Sequence, residues 1–142
     1  MNTVSPNSLD DTYKPSEDEE FMNPRQQAYF RRKLLLWREE LLRDAHETLN
    51  NLSHSPPADI DLNDRASTET DRALELRTRD RARKLIGKID KALKRIDDGT
   101  YGYCEVTGEP ISLKRLEARP IATLSLEAQE QHERREKIYR DE

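Results

Sequence analysis

The feature that most constrains this chain is a proline pair set between two long stretches that each read as one helix. The first runs roughly from Asn23 to Leu52 and the second roughly from Ala66 to Asp98, with Pro56-Pro57 between them. Proline lacks the N–H and pushes the residue before it out of helical conformation, so the two stretches cannot run on as one helix. Two long helices joined by a short loop fold back as an antiparallel hairpin. At ~1.5 Å rise per residue, about 30 residues make an arm about 45 Å long. The loop, residues 53–65, is the expected far end of that arm and carries Asp59, Asp61 and Asp64. An acidic tip on a long stiff arm is a shape suited to reaching into a partner.

The apolar spacing supports the hairpin. Phe30, Leu34, Trp37 and Leu41 repeat at four, three and four, and Ala45, Leu49 and Leu52 continue that face. Leu35, Leu36 and Leu42 are expected to widen it near the base, where a head packs. In the second stretch Leu85, Ile89, Ala92 and Ile96 make the matching stripe, flanked by Ile86 and Leu93. Such spacing is one side of a helix. Toward the tip only Ala66, Ala73, Leu74 and Leu76 are apolar, so the arm is leaner there. Asn23-Pro24 reads as a cap followed by proline at the first helical position, Asp64 as the cap of the second helix, and Gly99 as its stop. Glu39 and Arg43, Glu75 and Arg79, Asp80 and Lys84, and Asp90 and Lys94 are acid-then-base pairs one turn apart.

With 33% apolar and 38% charged residues, the chain cannot fill a thick core. It suits a two-helix arm with a narrow seam plus one small head. The net charge of −4 gives no argument for nucleic-acid binding. Its distribution is uneven: residues 1–22 hold six acids against Lys14, and residues 77–95 hold nine bases against two acids. These bases read as dispersed around a helix, so no direct sequence-specific DNA binding is expected. No run of apolar residues is long enough to span a membrane, and no secretory signal is seen, so a cytoplasmic protein is expected. The single cysteine, Cys104, forms no internal disulfide and no Cys-rich zinc site. No nucleophile–base pattern or phosphate loop is present, and His46, His54 and His132 are scattered, so no enzyme is expected.

Three segments follow: an acidic, flexible or loosely docked segment over 1–22, the arm over 23–98, and a head over 99–142. Tyr13, Phe21 and Met22 leave open whether the first is pinned to the head. Residues 101–111 look like a tight two-stranded turn with Gly108 at the bend. Residues 113–120 read as a short basic helix stopped by Pro120, and Ser125 caps a last helix through about Tyr139, with Glu127 in its first turn.

Gly102-Tyr103-Cys104, Gly108, Pro110-Ile111 and the run from Lys114 to Pro120 resemble the zinc-finger end of the DksA/TraR family of bacterial RNA polymerase regulators. That family carries an Asp-x-x-Asp-x-Ala motif at the tip of a coiled-coil arm, which stands here as Asp61-Leu62-Asn63-Asp64-Arg65-Ala66. Residues 74–86 look like its second arm helix. The resemblance covers about residues 20–137. It implies a mainly α fold: a long antiparallel coiled-coil arm with an acidic tip, a small zinc-finger-like head and a C-terminal helix. The family's four cysteine positions hold Cys104, Thr107, Ser125 and Ala128, so the chain is similar to a Cys-poor branch and no zinc is expected. Packing alone would then hold the head, through Tyr101, Tyr103, Val106, Ile111, Leu113, Leu116, Ile121, Leu124 and Leu126. Cys104 is expected to be a structural remnant, with redox sensing left open.

The resemblance further implies that the protein enters the secondary channel of RNA polymerase, does no chemistry itself, and alters promoter complexes together with guanosine tetraphosphate (ppGpp). Asp61, Asp64 and Ala66 would be the functional tip, Arg81 and Leu85 the contacts at the channel rim, and Leu85, Lys88 and Arg119 the ppGpp site. A further basic position of that site is Gln129 here, with Arg134 or Lys137 as substitutes. Two alternatives are a secondary-channel factor that promotes transcript cleavage and a structural coiled-coil scaffold. The capped Pro-Pro turn favours an intramolecular hairpin, and so a monomer, over a dimeric coil.

Overall fold

The computed structural model describes residues 11–53 and 62–140, apart from the side chains of residues 49, 51–53 and 62–65. Four helices follow in order: α1 (Pro24–Ser53), α2 (Leu62–Asp98), α3 (Leu113–Ala118) and α4 (Leu126–Arg140). The fold is mainly α, as the sequence predicts. The strand pair expected over 101–111 reduces to one antiparallel bridge between Tyr103 and Pro110. Proline has no N–H to extend a ladder past that point.

Local chemistry sets the helix ends. Asn23 Oδ1 accepts the Gln26 N–H at 2.9 Å and the Asn23 carbonyl accepts that of Gln27 at 3.0 Å, which caps α1 with Pro24 as its first residue. α2 begins at Leu62 rather than Ala66, so Asp64 lies inside its first turn instead of in front of it. Acids are favoured both as caps and in the first turn by the helix dipole, so residue type alone does not separate the two placements. At the other end Gly99 adopts a φ of 80°. Its N–H donates to the Ile96 carbonyl at 3.2 Å and that of Thr100 to Arg95 at 2.9 Å, which is a Schellman stop.

The chain divides into two compact units: a terminal unit, Met1–Leu34 with Lys91–Glu142, and a middle unit, Leu35–Asp90. In the terminal unit Arg31 of α1 pairs with Asp97 of α2. In the middle unit Arg38 pairs with Asp90 at 2.9 Å. Each pair ties α1 to α2 within its own unit. Two of the expected helix-surface pairs are replaced. Asp90 reaches across to Arg38 instead of Lys94, and Asp80 meets Arg83 at 3.3 Å instead of Lys84. Glu75 and Arg79 pair as expected, at 3.1 Å.

The terminal unit holds the core. Phe30, Leu34, Ile96, Tyr101, Ile111 and Leu116 are buried, and the Phe30 ring sits against Tyr29 and Tyr101 at centroid distances of 5.2 and 5.6 Å. Three expected core residues are exposed instead: Tyr103, Val106 and Leu126. Neighbouring residues of an extended segment point opposite ways, so burying Gly102 and Cys104 turns Tyr103 outward. The small residues Ala122 and Ala128 fill the space instead. Residues 11–23 are tied to this unit by named contacts. Tyr13 stands edge-on to Tyr29 at 6.0 Å, and Phe21 edge-on to Tyr103 at 5.4 Å. Gln26, fully buried, accepts the Met22 N–H at 2.8 Å and donates to the Ser16 carbonyl at 3.3 Å. Gly102, at φ 90°, must lack a side chain there, because a Cβ would stand 3.1 Å from both Met22 Cε and Phe21 Cζ.

The middle unit is a thin seam. Among its described residues only Ile89 is buried, with Trp37, Leu41, Leu85 and Ile86 half-buried. Leu35, Leu36 and Leu42, expected under a head, are exposed. A helix pair covers only a narrow stripe of each helix, and these leucines lie off it.

Candidate functional site

The expected tip falls largely outside the described residues. Asp61 is outside them, Asp64 lies in α2 with its side chain outside them, and Ala66 is exposed in α2. Further along α2, Arg81, Leu85 and Lys88 follow at spacings of four and three, which sets them on one side of the helix. Arg81 and Lys88 are exposed and Leu85 is half-buried. The structure groups these three in the middle unit. Arg119 belongs to the terminal unit, where it is the exposed C-cap of α3 and donates its N–H to the Arg115 carbonyl at 2.8 Å. Gln129 is half-buried and donates to Glu133 Oε1 at 3.2 Å.

Around Cys104 the structure does bring the carried-over positions together. The chain turns tightly: the Cys104 N–H donates to the Glu109 carbonyl at 2.8 Å, and the Gly108 N–H to the Cys104 carbonyl at 2.9 Å. Burial pushes the Cys104 thiol up. Hydrogen bonds from the Thr107 hydroxyl and from the backbone N–H groups of Ser125, Thr107 and Val106 outweigh it and bring its pKa down to about 6. Ser125 also caps α4, its Oγ accepting the Ala128 N–H at 3.2 Å. The loop is therefore a cradle of hydrogen-bond donors around the Cys104 sulfur. A cleft of about 280 Å³ opens beside it, lined by Glu105, Val106, Leu124, Ala128, His132 and Arg135 among others.

One polar cluster was not legible in the sequence. Glu117 Oε1 accepts both the Tyr29 hydroxyl and Lys33 Nζ, the latter at 2.8 Å. Burial raises the Tyr29 pKa first, and the Glu117 carboxylate raises it further. No short-range pattern links residues so far apart in the chain. Tyr101 is similar: its buried hydroxyl donates to the Pro120 carbonyl at 2.8 Å. A buried tyrosine needs such a partner, but the sequence does not say which.

An antiparallel pair of long helices, together with a small cysteine-containing turn and two short following helices, defines the class of DksA-type regulators. Residues 26–96 match the family described as "DnaK suppressor protein DksA, N-terminal domain", and residues 99–134 match "Prokaryotic dksA/traR C4-type zinc finger". The chain belongs to the DksA/TraR family. It is 66% identical over 130 residues to the RNA polymerase-binding transcription factor DksA of Caulobacter vibrioides, covering 92% of each chain. It is 44% identical over 125 residues to the factor of the same name from Escherichia coli K12, covering 88% of this chain and 83% of that one. The solved structure of transcription factor DksA2 from Pseudomonas aeruginosa superposes with a TM-score of 0.76 at 43% identity, covering 82% of this chain and 90% of that one.

The match over 99–134 corrects the expectation of no zinc: it is to a C4-type zinc finger, which points to zinc binding. The correction comes from the pattern of the whole head, which the count of thiols had overridden. Of the four thiolates that a C4 site uses, this chain supplies one, Cys104, and Thr107, Ser125 and Ala128 supply no others. The residues present thus do not make that four-thiolate site themselves.

Proposed function

We propose that this chain binds RNA polymerase and regulates transcription without doing chemistry of its own. The observation that carries this reading is the match along most of the chain to relatives named RNA polymerase-binding transcription factors. The reading extends to the finer roles. Asp61, Asp64 and Ala66 act near the polymerase catalytic centre, reached through the secondary channel. Carboxylates interact strongly with Mg²⁺ and basic groups where the local dielectric is low. Arg81 and Leu85 meet the channel rim. Leu85, Lys88 and Arg119 take ppGpp in the complex, where cations suit pyrophosphate and arginine binds it bidentately. The acting form is a cytoplasmic monomer. Among the described residues no helix is long and apolar enough to cross a membrane.

The test is promoter-complex lifetime on purified polymerase, with and without this protein and ppGpp. The expected result is a shortened lifetime, shortened further by ppGpp, with the ppGpp effect lost in Lys88→Ala and Arg119→Ala. Asp64→Asn keeps polymerase affinity in a competition assay and loses the effect on lifetime. An unchanged lifetime together with no polymerase binding overturns the reading.

A further inference from the structure

Among the described residues one non-glycine residue, Met22, has a positive φ, of 52°. L side chains rarely adopt that region, and such strain persists only where the surroundings over-determine the backbone. Met22 is held from three sides. Its N–H donates to Gln26 Oε1 at 2.8 Å, and its carbonyl accepts Gln27 Nε2 at 2.8 Å. Its side chain is buried, with Cε and Cγ against Gly102.

The segment before Met22 is folded on itself and fastened along its length. The Glu19 N–H donates to the Ser16 carbonyl at 3.2 Å, and the Glu19 carboxylate accepts the Ser16 N–H at 2.9 Å and the Tyr13 hydroxyl at 3.0 Å. The Arg25 guanidinium lies over the Tyr13 ring, 3.9 Å from its centroid. Gln26 joins both halves of the segment, since its amide nitrogen holds the Ser16 carbonyl while its oxygen holds the Met22 N–H. At the end nearest α1, Phe21 and Met22 close over Gly102, and the Phe21 ring stands edge-on to Tyr103. The turn they close over has few bonds of its own. Cys104 N–H donates to the Glu109 carbonyl at 2.8 Å, Gly108 N–H to Cys104 at 2.9 Å and Ile111 N–H to Gly102 at 2.7 Å.

We infer that residues 13–22 are a strap that latches the 101–111 turn. Docked at the strained Met22, the strap holds the turn's three backbone hydrogen bonds closed; released, it lets the turn open while α1 and α2 stay folded. Strap and turn meet on one residue. Gly102 faces Met22 and Phe21 and also supplies the carbonyl that accepts the Ile111 N–H. A glycine has the most conformational freedom to lose, so packed neighbours are what keep Gly102 at its φ of 90°. Release also relieves the strain at Met22, so the docked state depends on the sum of its contacts and is sensitive to the loss of any one. A region with few backbone bonds and little burial of its own is the kind that opens locally, ahead of the whole molecule. The inference concerns the terminal unit alone and does not rest on polymerase binding.

The experiment is native-state amide exchange of the full chain, followed residue by residue by NMR. Phe21→Ala removes the ring beside Tyr103, and losing an aromatic pair shifts an opening equilibrium by about two- to tenfold. The N–H groups of Cys104, Gly108 and Ile111 are expected to exchange faster by that factor. Gln26→Met, similar in size but without the amide, frees the Ser16 carbonyl and the Met22 N–H together and is expected to act in the same direction. The coupling is reciprocal. Gly102→Ala, which drives a Cβ against Met22 and Phe21, is expected to speed exchange at the Glu19 and Met22 N–H groups. In Phe21→Ala the amides of Leu34 and Ile96 keep the parent's rates, and Leu126→Ala, exposed in the same unit, leaves the turn unchanged. A circular-dichroism melt checks that each variant is folded, and Phe21→Ala alone decides if Gln26→Met is not. Three results overturn the inference: turn amides unchanged in the strap variants, an equal acceleration at Leu34 and Ile96, or an equal effect from Leu126→Ala. The second would make the segment one more piece of a core that opens only as a whole.

Discussion

The terminal and middle units share α1 and α2, yet they are stabilised by different means. Apart from Ile89, every buried side chain among the described residues lies in the terminal unit. The middle unit instead exposes Leu35, Leu36, Leu42, Leu74 and Leu76 and relies on helix formation and on ion pairs such as Arg38–Asp90. Helices without much packing are marginal in water, because nucleation is unfavourable and each added residue gains little. The same helix therefore has different local stability along its length, and amide exchange should open α2 in the middle unit before its end in the terminal unit. The candidate contacts Arg81, Leu85 and Lys88 sit in the weakly buried part. Exposed surface and core surface compete for the same residues, and here they are separated along one helix.

The largest expected effect breaks the terminal core. Phe30→Ala removes a fully buried ring and lowers unfolding free energy by about 3–5 kcal/mol. Leu36→Ala, 56% exposed in the middle unit, changes it by no more than about 0.5 kcal/mol. Urea denaturation of both variants is the check. A comparable loss from Leu36→Ala would mean that the middle unit hides a core of its own.

The glycines sharpen the same comparison with opposite signs. Gly102→Ala, in the terminal unit, forces a side chain to a φ of 90° and against Met22 and Phe21, and is expected to destabilise by about 1–3 kcal/mol. Gly87→Ala, in the middle unit, places a methyl in a helix interior with nothing within 4 Å. It is expected to stabilise by about 0.5–1 kcal/mol, since alanine loses less conformational freedom in a helix. Thermal melts of the two variants decide it. A destabilised Gly87→Ala would show that α2 needs its glycine for a bend or a close neighbour.

The contrast between units also governs what was legible beforehand. Helix existence and the caps at Asn23, Ser125 and Gly99 were legible because they depend on residues a few positions apart. The start of α2 was not, since an acid serves equally as cap or first-turn residue. The core of the terminal unit was half legible. Tyr101, Ile111 and Leu116 were expected inside and are, while Val106 and Leu126 were expected inside and are exposed. In so small a head, the direction of a side chain at a tight turn decides burial more than its hydrophobicity does. At the candidate site, Arg81, Leu85 and Lys88 came from the resemblance alone, and it is α2 that sets them on one side. Besides the Thr107 hydroxyl, the donors around Cys104 are backbone groups, which no residue type announces. The ion pair Arg38–Asp90 was hidden because Asp90 had a nearer basic neighbour in sequence, and the hairpin supplied a better one from α1.

Acidification tests the polar cluster of the terminal unit. Burial acts to raise the Glu117 pKa, but the hydrogen bond and charge of Lys33 and the Tyr29 hydroxyl hold it below the usual carboxylate value. A carboxylate with a lowered folded pKa binds fewer protons folded than unfolded, so stability rises with pH through this window. The contribution is complete at neutral pH and is lost as pH falls through the folded pKa, below the ordinary glutamate range. Its size is modest, because Glu117 keeps 42% of its side chain exposed. Glu117→Gln should melt lower than the parent at neutral pH, and the two melting curves should converge in acid. A gap that persists in acid would assign the loss to side-chain shape instead of charge.

The smallest expected effect lies in the middle unit. Arg38 Nε and Asp90 Oδ1 stand 2.9 Å apart, with side chains 37% and 51% exposed. Water and salt screen such a pair, and holding two long side chains in one geometry costs entropy, so its coupling is about 0.2–1 kcal/mol. Single substitutions also disturb local helix chemistry, so the measurement is a double-mutant cycle of Arg38→Gln and Asp90→Asn. The coupling should shrink on raising salt, since exposed charges are screened over about 10 Å at 0.1 M. Because the pair joins α1 to α2 where little is buried, the amides of the middle unit should exchange faster in the double variant while those of the terminal unit hold. A salt-independent coupling well above about 1 kcal/mol would show that the middle unit is fastened by its charges more tightly than so exposed a pair allows. A coupling of zero would leave apolar contact along the seam, chiefly at Ile89, as what holds α1 and α2 together in that unit.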